Sequence, residues 1–353
     1  MQRDLVERRK WFTQDEYVQG LAVSQTLPGP LAAQLAMWLG YVRHGARGAV
    51  AAALAFVLPP FLIVSAVAAA YVALEGTPVI QALFYGVGPA VIALILRGAW
   101  KLLRVTVRSD RRLWLIFAVV AVVTFVARSE VAVLFIAAGF VGVLIYARPT
   151  LRGLPAAPIA LPLLGAIRVG WSAANSADPN TLLQLGVFFF KAGAFTFGSG
   201  LAIVPFLQQG VVRDFGWLSE REFLDAVAMG MITPGPVVIT AVFVGYLVAG
   251  LAGATVAGIG VFLPPLLMVV LFAPHIIRWR KHPAVQGFTK GATAAAAGAI
   301  VGAAAVIATQ VLVDIATLVI FAAAFVALWR TKVPEPLVVG LAAVAGLALT
   351  ALR

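Results

Sequence analysis

The residues of this sequence that could do chemistry are two copies of one tripeptide, set in apolar runs. Pro28-Gly29-Pro30 and Pro234-Gly235-Pro236 each interrupt an otherwise helical stretch. Proline removes a backbone donor and forces the residue before it out of the α region, so one helix must end and another begin. The new helix starts with free N–H groups and the positive end of its dipole, which together favour an anion. The amides that we expect to bind it are those of Leu31, Ala32, Val237 and Val238.

Polar side chains and two lysines extend this candidate site. Lys191 and Lys290 fall inside apolar runs, where a cation is a functional candidate, although each stem could also reach the membrane interface. Gly198 follows Lys191 by about two helical turns, so we expect both residues on one helix face. The full candidate site comprises Thr26, Pro28, Gly29, Pro30, Gln34, Lys191, Gly198, Ser199, Gly200, Thr233, Pro234, Gly235, Pro236 and Lys290.

Composition sets the class of protein that must position these residues. Of the 353 residues, 62% are hydrophobic and 11% are charged, which excludes a water-soluble domain. We predict an all-α polytopic membrane protein built from spans of ~20 residues. The net charge of +12 comes from basic residues in short loops between apolar runs, so it indicates membrane topology and no nucleic acid. With no cysteine and three histidines, we expect no metal and no cofactor.

An internal repeat organises the chain. The two tripeptides align in the same register as Leu58-Pro59-Pro60 with Leu263-Pro264-Pro265, and a match of proline and glycine over so long a stretch is not chance. We predict a first repeat at 1–148, a Pro-containing cytoplasmic linker at 149–181 and a second repeat at 182–353. The second repeat has an apolar helix before its tripeptide, from Leu182 to about Phe206. The first repeat lacks this helix, so either the sequence is shortened or that repeat works without it.

Each repeat begins with the same short helix. Thr13-x-x-Glu16 and Ser219-x-x-Glu222 are capping boxes, which satisfy the first free N–H groups of a helix. From there to the tripeptide the helix is too short to cross ~30 Å of hydrocarbon. The tripeptide element is therefore either one broken span or a re-entrant hairpin, and spanning helices follow it.

Loop charges indicate that the repeats have opposite orientations. The loop after the first tripeptide element holds Arg43 and Arg47, whereas its counterpart has no charge. The next loop is basic only in the second repeat, at Arg278, Arg280 and Lys281. Treating each element as a hairpin gives an odd number of crossings per complete repeat. The positive-inside rule then puts most of the 26 lysines and arginines in the cytoplasm, so we predict inverted-topology repeats.

The combined motifs resemble those of the chromate ion transporter family. They are Arg8-Arg9-Lys10-Trp11-Phe12, Leu27-Pro28-Gly29-Pro30 with Gly40-Tyr41, the Leu-Pro-Pro helices, Phe195-Thr196-Phe197-Gly198-Ser199-Gly200 and Thr233-Pro234-Gly235-Pro236. The resemblance covers nearly the whole chain. It implies a secondary transporter of the inner membrane that exports chromate, a tetrahedral oxyanion, driven by the membrane potential or the proton gradient.

Other functions remain open at this stage. Backbone amides alone do not separate chromate from sulfate or another oxyanion, and a passive anion channel would use the same residues. We expect no enzyme, because Gly198-Ser199-Gly200 has no histidine nearby in sequence. Only Asp225, where the first repeat has Gln19, could place a carboxylate deep in the membrane, so a dedicated proton relay is not evident. The expected partners are the oxyanion and the lipid bilayer, and a homodimer is left open.

Overall fold

A computed structural model describes most of the chain. The described ranges are 1–74, 77–107, 110–127, 131–147, 178–197, 200–233, 235–279, 282–331 and 333–351. Within them the backbone forms helices joined by turns, with no strand. The predicted all-α fold is confirmed. Almost all of the predicted linker lies outside the described residues.

The helices follow one another in the same order in both repeats. In the first half they are α1 (Gln14–Thr26), α2 (Leu31–Ala73), α3 (Pro78–Thr106), α4 (Arg111–Ala127) and α5 (Val131–Tyr146). In the second half they are α6 (Pro179–Ala194), α7 (Ile203–Leu207), α8 (Glu220–Ile232), α9 (Thr240–Trp279), α10 (Pro283–Val311), α11 (Ile315–Arg330) and α12 (Glu335–Ala351). Helices α1 to α5 therefore correspond to α8 to α12. Short π-helical turns at Arg3–Arg8 and Gln208–Asp214 precede α1 and α8.

Both predicted capping boxes are formed. The Thr13 hydroxyl accepts the Glu16 backbone N–H at 3.2 Å, and the Thr13 N–H donates to the Glu16 carboxylate at 2.8 Å. Ser219 and Glu222 make the same pair of bonds at 3.2 and 2.7 Å. The helices that they start, α1 and α8, both have 13 residues.

The tripeptide elements are hairpins, not broken spans. A Cβ atom at Gly20 of α1 would overlap the Trp38 ring of α2, so the helices on the two sides of Pro28-Gly29-Pro30 lie side by side. In the second repeat a Cβ at Gly230 of α8 would overlap the Thr240 hydroxyl of α9. We call each tripeptide the tip of its hairpin and the two helices its arms.

A second reversal ends each hairpin. Helix α2 turns at His44 and Gly45, where Gly45 has a φ of +57° that only glycine adopts without strain. A Cβ at Gly40 would overlap the carbonyl oxygen of Gly48, so the arm packs directly against the long helix that follows it. The same reversal lies at Gly250 in α9, with a φ of +58°. The order along the chain in each repeat is thus first arm, tip, second arm, reversal and long helix.

The two repeats complete one another. Helices α4 and α5 of the first repeat pack on α10 of the second, and α11 and α12 of the second pack on α3 of the first. A Cβ at Gly291 of α10 would overlap the Ala138 carbonyl in α5, and one at Gly86 of α3 would overlap the Ala342 carbonyl in α12. Small residues let helix backbones approach this closely in membranes. Contacts that come in such reciprocal pairs are those of two modules related by an approximate twofold axis.

Glycine contacts also give the relative directions of the helices. A Cβ at Gly287 of α10 would lie 2.6 Å from the Gly142 carbonyl oxygen of α5. One turn later Gly291 meets Ala138, so α10 runs antiparallel to α5.

Helix α4 packs on α10 in the other direction. Gly298 of α10 meets the Phe117 carbonyl of α4. Further along both helices, a Cβ at Gly302 would lie 2.8 Å from the Thr124 Cβ. The two helices are therefore parallel.

Length and apolarity make the chain a multi-pass membrane protein. Four described segments are long and apolar enough to cross a bilayer: Leu31–Ala73, Gln81–Thr106, Val237–Phe272 and Pro283–Val311. Three shorter apolar helices accompany them: Val133–Tyr146, Ile315–Arg330 and Glu335–Ala351. The outer helices α4 and α11 expose large apolar side chains such as Leu115 (65%) and Ile315 (82%), which suits contact with lipid.

One predicted helix is shorter than expected. The apolar run from Leu182 to about Phe206 is not continuous, because α6 ends at Ala194 and the chain is non-helical from Phe195 to Phe197. Its start is one turn earlier than predicted, at Pro179, where proline suits the first position of a helix.

We expect Gly291→Val to destabilise the protein by about 1–3 kcal/mol, because its side chain has no room against α5. The control is Gly340→Val in α12, where a Cβ would meet no described atom within 4 Å. Heating both variants in detergent and measuring the remaining monodisperse protein tests this. Equal melting of the two would contradict the packing described for α10.

Candidate anion site at the hairpin tips

Each hairpin tip lies against the Leu-Pro-Pro segment of the other repeat. A Cβ at Gly29 would lie 2.8 Å from Pro265, and one at Gly235 would lie 2.9 Å from Pro60. Pro60 and Pro265 occupy equivalent positions in the two repeats, so the contact is reciprocal. Both tips therefore lie at the interface of the two repeats.

The two tips differ in accessibility. Gly29 is buried, whereas Gly235 is exposed, although both have positive φ angles (+141° and +157°). Positive φ together with close approach to proline explains why glycine is required at both positions. In this conformation, therefore, the glycine of the second tip is accessible and the glycine of the first tip is not.

A segment that follows α6 joins the two tips. The Gly29 N–H donates to the Thr196 carbonyl at 2.5 Å. A Cβ at Gly200 would lie 3.4 Å from the Val237 Cβ and 3.6 Å from the Val237 nitrogen. We call the described residues Thr196, Phe197 and Gly200 the bridging segment. It brings Gly200 into the predicted site, while Gly198, Ser199 and Pro234 lie outside the described residues.

Polar side chains of the first tip hold its backbone. Gln34 is fully buried, and its amide donates to the Pro28 carbonyl at 2.7 Å. Thr26 donates its hydroxyl to Ala22 at 2.8 Å. The Gln34 Oε1 has no hydrogen-bond partner among the described residues. The Gln34 amide nitrogen thus holds the tip backbone, and the Oε1 atom has no bond to another described residue.

The second tip is held in a different way. Thr240, which stands where the first repeat has Gln34, donates to the Val237 carbonyl at 2.8 Å and is buried. Thr233 donates to Met229 at 2.6 Å. Threonine cannot reach across the tip as glutamine does, so the second tip has no equivalent of the Gln34 to Pro28 bond among the described residues.

The helix arms that follow the tips lack the side-chain caps of the arms that precede them. Pro30 and Pro236 precede the second arms, and neither forms a side-chain cap, whereas α1 and α8 have complete capping boxes. No described side chain caps the first N–H groups after either tip, which are the amides expected to bind an anion. Uncapped helix starts at the interface of the repeats favour an anion.

Lys191 lies close to the bridging segment. It is half-buried in the last turn of α6, where the helix dipole favours a cation. The expectation that Gly198 shares its helix face is wrong, because α6 ends at Ala194. Thr196, whose carbonyl accepts the Gly29 N–H, follows Lys191 by five residues. The backbone therefore connects Lys191 directly to a residue that contacts the first tip.

Lys290 is placed elsewhere. Its Nζ lies 4.9 Å from the centre of the Tyr146 ring in α5, and the side chain is exposed. The Tyr146 hydroxyl donates to Asp110, and this bond together with the backbone N–H groups of Arg112 and Leu113 holds the pKa of Asp110 below its ordinary value. No contact of the described residues joins Lys290 to the tips, so the prediction that it belongs to the site receives no support from its position.

One interaction is not predicted by the sequence. Tyr71, near the end of α2, donates its hydroxyl to Asp225 of α8 at 2.7 Å, and both residues are buried. Phe84 of α3 and Phe243 of α9 pack on the Tyr71 ring. The sequence marks Asp225 as a deep carboxylate, but its partner lies in the other repeat and no sequence signal connects them.

These features define a class of protein. Pro-Gly-Pro interruptions at corresponding places in two repeats of a membrane protein, each packed against the other repeat, are the architecture of a secondary transporter. The family model described as chromate transporter matches residues 1–143 and 183–347. The chain belongs to the chromate transporter family.

Curated relatives agree with the family. A chromate transport protein of Cupriavidus metallidurans is 49% identical over 98% of this chain and 86% of its own length. A probable chromate transport protein of Synechococcus elongatus is 46% identical over 98% of this chain and 88% of its own. A chromate transport protein of Pseudomonas aeruginosa is 32% identical, with 98% and 86% covered. No solved structure matches the chain significantly.

We expect Gly29→Ala to reduce transport about tenfold or more, since a side chain at this φ costs about 1–3 kcal/mol and each 1.4 kcal/mol is tenfold. Gly340→Ala in α12 is the control. Anion uptake per amount of membrane-inserted protein is the measurement. Normal uptake by Gly29→Ala would remove the tip from the site.

Proposed function

We propose that this protein is a secondary transporter that moves chromate across the inner membrane. The observation that carries the proposal is that two uncapped helix starts, behind Pro30 and Pro236, each follow a tip packed against the Leu-Pro-Pro segment of the other repeat. Relatives that span nearly the whole chain are named chromate transport proteins. We propose transport without catalysis.

The proposal includes repeats of opposite orientation, at 1–148 and 182–353 with a cytoplasmic linker at 149–181. Helix directions support it. Consecutive crossings alternate in direction, so α5 runs as α3 does and α4 runs opposite to α3. Because α10 is antiparallel to α5 and parallel to α4, it runs opposite to α3, its own counterpart.

A dianion between the tips would be bound by charge and geometry together. The dipole of each helix carries roughly half a positive charge at the helix start. The half-buried Lys191, five residues before Thr196, adds a full positive charge. Removing the anion from water is costly, and several N–H groups must replace its hydration. A site built from backbone amides of two repeats can release the anion when the repeats move apart.

Export is the direction that we propose. An inside-negative potential expels a dianion with about 4.6 kcal/mol per 100 mV, twice the single-charge value. The basic loops assigned to the cytoplasm raise the anion concentration at that entrance. Alternating access would result from movement between a state with the first tip buried and a state with the second tip buried. The structure, with Gly29 buried and Gly235 exposed, corresponds to the first of these states.

Inverted membrane vesicles test the function. We expect saturable chromate uptake that increases with an inside-positive potential and is stronger than uptake of molybdate or phosphate. Sulfate uptake in place of chromate would assign the alternative oxyanion. Flux that does not saturate would instead indicate an anion channel, and no uptake of any oxyanion would reject the proposal.

Lys191→Ala should raise the KM for chromate about tenfold, since a hydrogen bond to a charged group contributes about 1.5–3 kcal/mol. Lys290→Ala is the matched control, because that lysine packs on Tyr146. Chromate titrations of vesicle uptake give both values. An unchanged KM in Lys191→Ala would exclude this lysine from binding.

A further inference from the structure

Asp225 is the one charged side chain that is buried among the residues whose burial is described. Its exposure is 2%, and Tyr71, its hydrogen-bond partner, is 7% exposed. Burying an ionised carboxylate costs much more than burying a protonated one. Such a residue in a membrane protein needs a functional explanation.

Among the described residues, one cation acts on the carboxylate. The ionisable groups that act on it are Tyr71 from α2 and, on its own helix, Arg221 and Glu222. Phe84 of α3 and Phe243 of α9, which carry no charge, pack on the Tyr71 ring.

Charged groups of the other neighbouring elements are engaged elsewhere. Arg213, in the π-helical turn before α8, lies 4.0 Å from Glu220. Helix α12 also packs on α8. Its Glu335 carboxylate lies 3.5 Å from the Arg97 guanidinium and 3.5 Å from the Lys101 ammonium. In the part of the chain that the structure describes, the Asp225 carboxylate thus accepts a hydrogen bond from the neutral Tyr71 hydroxyl, and Arg221 is the cation that acts on it.

The location of the pair connects it to the hairpin. Asp225 lies on the first arm of the second hairpin, and Tyr71 belongs to the first repeat, so their bond spans the repeat interface. The first repeat has Gln19 at the position of Asp225. Only one of the two hairpins therefore carries a group that can gain or lose a proton here.

We propose that Asp225 is the proton-binding site that couples transport to the pH gradient, with Tyr71 as the residue that links its protonation to the position of the second hairpin. An ionised Asp225 accepts a strong hydrogen bond from Tyr71 and holds the arm on α2. A protonated Asp225 forms a weaker bond and loses the charge that opposes movement through the membrane. This inference rests on the proposed function, because it assigns a coupling ion to that same transporter.

Chromate accumulation in inverted vesicles tests the coupling. The potential is clamped at zero with a potassium ionophore, and a pH difference of about one unit is imposed in an alkaline range where the anion stays fully ionised. For wild type we expect accumulation to change about tenfold for each proton exchanged. Asp225→Asn should not respond to the pH difference, but should still respond to an imposed potential. Asp225→Glu should restore the response.

Control variants separate coupling from structure. Asp214→Asn removes an exposed carboxylate outside the membrane helices and should respond as wild type does. Tyr71→Phe keeps the carboxyl group and should move the pH of half-maximal uptake upward, because the ionised form loses its donor. This variant keeps the test decisive if Asp225→Asn fails to reach the membrane.

Each result has one meaning. A wild-type response in Asp225→Asn, an unchanged pH profile in Tyr71→Phe, or a wild-type protein indifferent to the pH gradient would overturn the inference. If wild-type vesicles accumulate no chromate under either driving force, it is the proposed function that fails.

Discussion

Unpaired backbone groups in hydrocarbon each cost several kcal/mol, and this constraint governs how the two hairpins are placed. A tip interrupted by two prolines cannot satisfy its own amides, so it must be buried in protein or line a polar cavity. The tips meet this demand on the Leu-Pro-Pro segments of the opposite repeat, and Gly29 is also bonded to Thr196 of the bridging segment. Each repeat thus contributes part of the surface against which the other repeat's tip packs.

The rest of the packing follows from the same interdependence. Helices α4 and α5 of one repeat lie on α10 of the other, and the equivalent pair lies on α3. Apolar side chains gain little from leaving lipid for protein, so close backbone approach at glycine and alanine supplies the attraction. Gly86 and Gly291, equivalent in sequence, make these approaches on the two sides. The repeat interface is thus the core of the molecule.

Within this symmetry the two hairpins have diverged. Gln34 closes the first tip and Thr240 does not close the second, while Asp225 replaces Gln19 and bonds across the interface. One tip is buried and the other exposed. Such differences are what a transporter needs in order to treat its two sides unequally, since identical repeats would give both orientations the same energy.

Local rules in the sequence determined the helical class, both capping boxes and the breaks at the two Pro-Gly-Pro tripeptides. These depend on residues within about one turn of each other, so spacing alone predicts them. Contacts between the repeats could not be predicted from local spacing. Gly29 packs on Pro265, Tyr71 bonds Asp225 and Lys290 packs on Tyr146, and each contact joins residues far apart in the chain. The apolar run also overextended α6, because hydrophobicity alone does not mark where a helix within the run ends. The sequence by itself thus determined which segments break and which amides are left free. Only the tertiary structure decided which surfaces cover them, because burial of a backbone break is settled by the repeat packed against it.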